Sequence, residues 1–176
     1  MELYDVLLKR RSVRNYTDEE IPEEKLKKII EAGLLAPSSR NIKPCLFYVI
    51  RDREILAKLS ETKASGAGML AECAAAIAVF ADSEKADTWI EDSSIALSYM
   101  NLMAVDQGIA SCWCQIHLRS SKLGEDAESC VRKLLSVPEK YCIVGILALG
   151  IPYETPPSHS DNDIDWSKVV FLPRIC

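Results

Sequence analysis

The stretch Arg10-Arg11-Ser12-Val13-Arg14 follows the first helical pattern of a chain of 176 residues whose formal net charge is -5. Together with Lys9 it places four cations and one hydroxyl within six residues. Guanidinium groups match phosphate oxygens in a fixed, often bidentate geometry, and a serine hydroxyl adds a neutral donor. The segment therefore favours a small phosphate-bearing ligand. The alternative is a solvated basic helix end, where cations suit the helix dipole.

Charge and hydropathy elsewhere in the chain limit its partners. The sequence pI is about 5.2 and the other cations are scattered, whereas a nucleic-acid binder spreads positive charge along one face. No uninterrupted apolar run approaches the roughly 18 residues of a membrane span. We therefore expect neither nucleic acid nor a membrane as a partner. With 48% hydrophobic residues, the chain fits one domain over residues 1–176.

The cysteines indicate a reducing compartment. There are seven, scattered along the chain and mostly in apolar contexts, which is typical of buried free thiols. This usage favours the cytoplasm. Cys112 and Cys114 share one face of a predicted strand, and for this pair packing and a redox role both remain open. With only His117 and His159 in the whole chain, a metal site is poorly supported.

Hydrophobic periodicity predicts a mixed order of helices and strands. Helical spacing of apolar residues occurs over residues 2–9, 22–36, 51–60, 88–107 and 125–135. Apolar strand patterns occur over residues 46–50, 74–81, 109–117 and 141–149. Residues 153–176 are predicted to form an extended arm with a short strand at 169–172. This order predicts an α+β sandwich and not a repeating βαβ chain.

The helical pattern over residues 88–107 is apolar around most of its circumference. A helix of this kind is buried on more than one side. We therefore expect either a central helix or the seam of a dimer.

A polar loop precedes the first predicted strand. Its hydroxyls and amides come from Ser38, Ser39 and Asn41, which follow Pro37. Such side chains carry the donors and acceptors that a polar heterocycle needs. They are also common in turns for their own backbone hydrogen bonds, so ordinary turn chemistry is the alternative.

Five stretches, taken together and in order, resemble the FMN-dependent nitroreductase family. They are residues 10–16 (Arg-Arg-Ser-Val-Arg-Asn-Tyr), the helix over 22–36, the loop over 36–44 (Ala-Pro-Ser-Ser-Arg-Asn-Ile-Lys-Pro), residues 108–113 and residues 149–153 (Leu-Gly-Ile-Pro-Tyr). The likeness spans nearly the whole chain. Each motif alone is modest, and their combined order and spacing make the match specific.

The resemblance implies a homodimeric α+β flavoprotein. Its fold would be a three-layer sandwich with a mainly antiparallel central sheet flanked by helices. Two FMN sites would lie at the subunit interface, with the C-terminal arm of each subunit exchanged onto its partner.

The resemblance also implies the cofactor-binding residues. The positions that would hold the phosphate and the pyrimidine edge are Arg10, Arg11, Ser12 and Arg14. The positions that would contact the flavin, with the Pro-Ser-Ser part reaching across from the other subunit, are Pro37, Ser38, Ser39 and Asn41. The segment that would lie beside the isoalloxazine ring is Trp113, Cys114, Gln115 and Ile116.

The implied activity is an oxidoreductase that works by a ping-pong mechanism. NADH or NADPH would reduce FMN and leave, and an electron-poor small molecule, nitroaromatic or quinone-like, would then take the electrons. Because FMN carries the chemistry, no catalytic side chain is expected. The alternative is a flavin-binding redox sensor or FMN-storage protein without efficient turnover.

Three features depart from the family pattern. Lys43 and Cys45 replace the usual Gln and Trp around Pro44. The tail has Ser-His-Ser at 158–160 where many members place a basic pair near the phosphate. Ile116 stands where smaller residues are common, which predicts a narrower pocket.

Overall fold

The computed structural model describes residues 1–172 and contains one four-stranded sheet. The strands are β1 (Cys45–Ile50), β2 (Ala75–Asp82), β3 (Ala110–Gln115) and β4 (Tyr141–Gly150), in the order β1-β2-β4-β3. Every neighbouring pair is antiparallel. The six α-helices of the described residues are α1 (Leu3–Lys9), α2 (Glu23–Leu35), α3 (Arg53–Glu61), α4 (Met69–Glu72), α5 (Trp89–Asp106) and α6 (Ala127–Leu135).

Helices cover both faces of the sheet. One buried cluster joins the sheet to α3, α4 and α6, through residues such as Leu56, Leu70 and Val131. The other joins it to α2 and α5, through residues such as Ile29 and Leu97. The predicted α+β sandwich with a mainly antiparallel central sheet is therefore confirmed.

Local sequence accounts for several helix starts. The carboxylate of Asp52 accepts hydrogen bonds from the backbone N–H groups of Glu54 and Ile55, each at 3.0 Å, and so caps α3. Asp126 caps α6 in the same way, accepting from the N–H of Ser129 at 2.8 Å. Each cap satisfies donors that the first helical turn leaves unpaired.

The basic segment is fixed to the sheet at one place. Ser12 forms a parallel bridge with Ser111 of β3, and Tyr16 forms an antiparallel bridge with Pro152 just beyond β4. The ring of Tyr16 lies over Gly150, and its hydroxyl donates to the Val13 carbonyl at 2.7 Å. Residues 12–16 therefore run along the end of the sheet beside β3 and β4.

Helix α5 is buried on one side and exposed on the other. Leu97, Met100 and Ala104 are fully buried, whereas Ile90 and Tyr99 are 38% and 44% exposed. Exposed apolar side chains therefore remain beside a buried stripe, and the expected dimer seam stays a prediction. No helix within residues 1–172 has the length and apolar character needed to cross a membrane.

The C-terminal arm differs from the sequence prediction in two ways. Residues 169–172 form no strand and are exposed, and no strand within residues 1–172 pairs with them. The preceding part is not free, since the backbone N–H of His159 donates to the Leu8 carbonyl at 2.8 Å and so ties the arm to α1. Two short 3-10 turns, Asp161–Asp163 and Trp166–Lys168, interrupt the extended chain. The last four residues of the predicted arm lie outside the described residues.

Replacing Gly150 by alanine tests the contact with Tyr16. The added methyl carbon would lie 2.6 Å from ring atom Cδ1 and 2.9 Å from Cβ of Tyr16, so the side chain cannot simply swing away. We expect Gly150→Ala to lower the free energy of unfolding by about 1–3 kcal/mol, the usual cost of overpacking. Urea unfolding at equilibrium measures this loss.

Gly68→Ala is the matched control. A methyl carbon there meets no atom within 4 Å, and the backbone at Gly68 is already helical. Its free energy of unfolding should change by no more than about 0.5 kcal/mol. Equal stability of the two variants would contradict the proposed role of the Tyr16 contact.

Candidate active site

Three cations gather beside β3, as the electrostatics of Cys112 show. Burial raises the pKa of its thiol. Four groups partly offset that rise, in the order Arg14, Lys63, Ser12 and Arg10. Arg10, Ser12 and Arg14 therefore lie near the Cys112 thiol, beside β3. These three residues belong to the set that the sequence predicts to hold a phosphate, and that role stays a prediction.

Lys63 is a member of this set that sequence reasoning missed. It lies in the loop after α3, and its charge also acts on Cys114. The loop is tied to the far end of β3, because the backbone N–H of Ala64 donates to the Ser120 carbonyl at 2.9 Å. No spacing in the sequence links Lys63 to the arginines. Only tertiary structure brings it to them.

Arg11 faces a different partner. Its guanidinium donates to the carbonyl of Pro157 in the C-terminal arm. Hydrogen bonds from Ser160 lower the pKa of Asp163, and the charges of His159 and Arg11 act in the same direction. Arg11 thus lies in a polar contact between the basic segment and the arm, while its predicted role toward phosphate stays a prediction.

The outer edge of β3 offers backbone donors. The N–H of Ile116 donates to the Val144 carbonyl at 2.9 Å, so the even-numbered residues of β3 bond inward to β4. In an antiparallel ladder the odd-numbered residues then turn their N–H and C=O groups the other way. Ser111 does so, since its carbonyl accepts from the N–H of Val13 at 3.0 Å. Trp113 and Gln115 continue this outward row beyond the basic segment.

The side chains of the predicted ring segment divide between the two faces of the strand. Trp113 Nε1 donates to Gln115 Oε1 at 3.0 Å, and Gln115 Nε2 donates to the His117 carbonyl at 3.3 Å. Cys114 and Ile116 point to the opposite face, where they are 1% and 0% exposed. The expectation that Ile116 narrows a pocket is therefore corrected, because its side chain fills the core.

The two cysteines of β3 are packing residues. Burial raises the pKa of Cys114 to about 11, and its thiol contacts the Gly66 carbonyl at 3.6 Å. The raised pKa of Cys112 likewise keeps it a neutral thiol near pH 7. All six cysteines of the described residues are free, and Cys176 lies outside them. The structural interpretation of the pair is favoured over a redox role.

A hydrogen-bonded pair of His117 and Glu128 holds the chain just beyond β3. His117 Nδ1 and Glu128 Oε1 lie 2.6 Å apart, and Glu128 Oε2 accepts from the N–H of Ile143 at 3.3 Å. The His117 ring packs edge to face on Trp89, with centroids 5.1 Å apart. Sequence reasoning gave His117 no partner, because Glu128 is eleven positions away on α6. The pair fixes the backbone that follows Gln115.

The polar loop is held by an acid of α5. Asp92 is 3% exposed, and its Oδ1 accepts from the backbone N–H of Ser39 at 2.9 Å. Its Oδ2 accepts from the Thr88 hydroxyl at 3.2 Å. Ser38 Oγ accepts from the N–H of Lys43 at 2.8 Å. Helix α5 contains three acids, Glu91, Asp92 and Asp106, so the sequence alone did not single out Asp92.

The same loop carries backbone strain. Its residues with positive φ are Arg40 (52°), Asn41 (56°) and Lys43 (51°). Non-glycine residues adopt this left-handed region at a cost, and they persist where surrounding contacts over-determine the backbone. The bonds from Asp92 and Ser38 supply such contacts. Pro37 and Asn41 are exposed, whereas Ser38 and Ser39 are half-buried.

Within one chain the predicted site residues fall into two groups. The basic segment and Trp113 to Ile116 lie at the β3 edge, whereas the polar loop leads into β1, the opposite edge of the sheet. Three strand spacings separate the edges, or about 14 Å. One chain therefore does not bring the two groups together.

Comparison with known proteins identifies the family of the chain. The sequence model described as "Nitroreductase family" matches residues 7–67 and 61–151. A relative from Archaeoglobus fulgidus, whose name includes NAD(P)H nitroreductase, is 35% identical over 92% of this chain and 92% of its own. An FMN reductase [NAD(P)H] of Bacillus subtilis is 30% identical over 86% of this chain and 66% of its own.

A solved structure shows the same fold. The FMN-dependent nitroreductase from Clostridium difficile R20291 superposes with a TM-score of 0.93 at 41% sequence identity, covering 96% of this chain and 98% of that one. The family match covers more than half of the chain, and the resemblance carried by the sequence motifs is confirmed. The chain belongs to the nitroreductase family.

Proposed function

We propose that this protein is an FMN-dependent oxidoreductase that passes electrons from NADH or NADPH to an electron-poor small molecule, a nitroaromatic or a quinone. NAD(P)H-dependent flavin oxidoreduction follows from family membership and from relatives named FMN reductase and FMN-dependent nitroreductase. Bound FMN supplies the hydride acceptance and the electron transfer. The observation that carries the proposal is the basic cluster at the head of the outward-facing edge of β3.

The residues at this edge fit FMN. Arg10, Ser12 and Arg14 would hold the phosphate, and Lys63 adds a fourth donor on the same side. The outward N–H groups of β3 would donate to acceptor atoms of the ring, with Gln115 the residue farthest along the row. The phosphate of FMN would thus lie at the basic segment, and the polar edge of its ring would lie along the outer edge of β3.

The separation of the two residue groups supports a homodimer. The polar loop cannot reach the β3 edge of its own chain, but the loop of a partner can. A second subunit would also cover the apolar side chains that α5 exposes. We infer that the Pro37, Ser38, Ser39 and Asn41 loop of one subunit completes the site of the other.

The exposed arm supports exchange between subunits. Val170, Phe171 and Leu172 are 80%, 82% and 83% exposed, a poor state for three apolar side chains in water. Strand β1 is an edge strand, and its Leu46 and Val49 are also exposed. We infer that the arm of one subunit lies on its partner, where the free edge of β1 is a ready template for strand pairing.

The enzyme interpretation is favoured over a thiol-based sensor. A sensor that used Cys112 and Cys114 would need accessible thiolates, whereas both thiols are buried with raised pKa values. The free thiols of the described residues support the cytoplasm as its location. Donor and acceptor would use the same open face of the ring in turn, which is the basis of the proposed ping-pong order.

Steady-state kinetics test this activity. The purified FMN-loaded protein should oxidise NADH or NADPH with a nitroaromatic or 1,4-benzoquinone as acceptor. Double-reciprocal plots at several acceptor concentrations should give parallel lines, as a ping-pong mechanism requires. A fully FMN-loaded protein that shows no turnover with either donor would favour FMN storage instead.

Removing single cations tests the phosphate site. Arg10→Ala and Arg14→Ala should each weaken FMN binding about ten- to a hundredfold, because one charge-assisted hydrogen bond contributes about 1.5–3 kcal/mol. Fluorescence titration of flavin-free protein with FMN measures the Kd. Arg119→Ala is the control, since its guanidinium is exposed and donates to the carbonyl of Leu118.

Arg11→Ala separates two roles of that residue. If the variant binds FMN more weakly while its dimer affinity is unchanged, Arg11 contacts the phosphate. If FMN affinity is unchanged, the role of Arg11 is the contact with the C-terminal arm. Unchanged titrations for both Arg10→Ala and Arg14→Ala would reject the phosphate site.

Shortening the arm tests the exchanged dimer. A chain ending at Lys168 lacks the exposed apolar residues Val169 to Leu172 and should show a weaker dimer and a lower flavin content together. The reason is that residues 169–172 gain stability only on a partner surface. Analytical ultracentrifugation and flavin absorbance measure the two quantities. A full-length monomer that is stable and flavin-loaded would count decisively against the proposal.

A further inference from the structure

A cleft of about 190 Å³ lies behind the polar loop, between α2, β1 and the first turns of α5. Small side chains leave this space open: Ala36 after α2, Cys45 of β1 and Ala96 of α5. The cleft is closely packed at Gly33, since a methyl carbon on Gly33 would lie 2.9 Å from the Met100 sulfur. The lining of the cleft is mainly apolar, and its exposed members, Leu34, Pro37 and Lys43, place the opening beside the loop.

The size of the cleft matches one aromatic ring. An engineered apolar cavity of about 150 Å³ in another protein stays dry and binds benzene. The ring of Phe47 forms one wall here and offers an aromatic edge or face to an occupant. A flat six-membered ring fits this space, and a bicyclic ring system is close to its limit.

The charges at the opening favour an anionic substituent. Lys43 lines the cleft, is exposed, and takes part in none of the salt bridges found within residues 1–172. The neighbouring cation Arg40 is already paired with Asp87. Asp92 also lines the cleft, but both its oxygens accept hydrogen bonds, from Ser39 and Thr88. The cation without a carboxylate partner thus stands at the mouth.

We propose that this cleft binds the ring of an aromatic carboxylic acid, with the carboxylate on Lys43. The effect of such binding on catalysis rests on the proposed function, because the loop above the cleft is the one that would face the partner subunit's flavin. An occupant would lie beside the reacting ring, so the cleft selects acidic aromatic acceptors. Cys45 and Lys43 are then specificity-determining residues.

Direct binding tests the cleft without turnover. The probe is 4-nitrobenzoate, with nitrobenzene as the analogue that lacks the carboxylate, and isothermal titration of the flavin-free chain measures the Kd because one chain builds the whole cleft. Lys43→Gln should weaken binding of 4-nitrobenzoate about ten- to a hundredfold, the loss of one charged contact, and leave nitrobenzene unchanged. Cys45→Trp should abolish binding of both by filling the space.

Cys45→Ser is the matched control, because it keeps the volume and should retain the parent Kd within about threefold. Cys45→Leu fills part of the cleft and replaces the tryptophan variant if that variant does not fold. Binding of 4-nitrobenzoate that is unchanged in Lys43→Gln and in the filled variant would overturn the proposal. No measurable binding to the parent would overturn it as well, since a partner side chain would then be the occupant.

Kinetics separate this inference from the proposed function. With the loaded enzyme, filling the cleft should raise the KM for 4-nitrobenzoate at least tenfold and leave kcat/KM for 1,4-benzoquinone within threefold. Equal changes for both acceptors would overturn the selectivity. If 4-nitrobenzoate binding depends on Lys43 but the loaded protein shows no turnover, the cleft proposal is supported and the oxidoreductase proposal is rejected. If the protein turns over but the cleft variants change neither binding nor KM, the oxidoreductase proposal is supported and the cleft proposal is rejected.

Discussion

The packing of Tyr16 on the bare backbone of Gly150 is the contact on which the arrangement of the site depends. It holds residues 12–16 against the ends of β3 and β4, and the hydroxyl bond to Val13 fixes the turn within that segment. Burial raises the pKa of Tyr16, so the phenol stays a neutral donor. Because the segment cannot slide, its cations project at a defined point of the β3 edge. A chain with net charge -5 thereby carries a local cluster of positive charge beside β3.

Hydrophobic period predicted the elements of this fold well. The pattern over residues 88–107 predicts a helix, and the structure has it at Trp89–Asp106; the run over 141–149 predicts a strand, seen at Tyr141–Gly150. Helix α4 was not predicted, because a helix of four residues is too short to show a hydrophobic periodicity. The strand predicted at 169–172 is wrong for the described chain, since a strand needs a neighbour and pattern alone cannot supply one.

The sequence could point to the basic segment because its residues are nearly consecutive. The structure brings Arg10, Ser12 and Arg14 close to Cys112 of β3, while their role toward a phosphate stays a prediction. The positions of Lys63 and Asp92 could not be predicted from the sequence. Lys63 lies in the loop after α3 and Asp92 in the first turn of α5, and only the tertiary structure brings them to their partners. Arg11 illustrates the same limit, because its neighbours in sequence face β3 while its guanidinium contacts the arm. Which way a side chain projects is decided by strand pairing, not by composition.

Two buried acids hold backbone positions. Asp92 holds the polar loop through the N–H of Ser39, and Glu128 holds the start of β4 through the N–H of Ile143. In both acids one oxygen accepts from a backbone N–H and the other contacts a side chain, Thr88 or His117. Buried carboxylates engaged in this way are poorly placed to shuttle protons. The chain thus behaves as a scaffold whose titratable groups orient loops and edges. Such a division of labour suits a protein whose chemistry belongs to a flavin, because the remaining task is to fix that ring between two rigid surfaces.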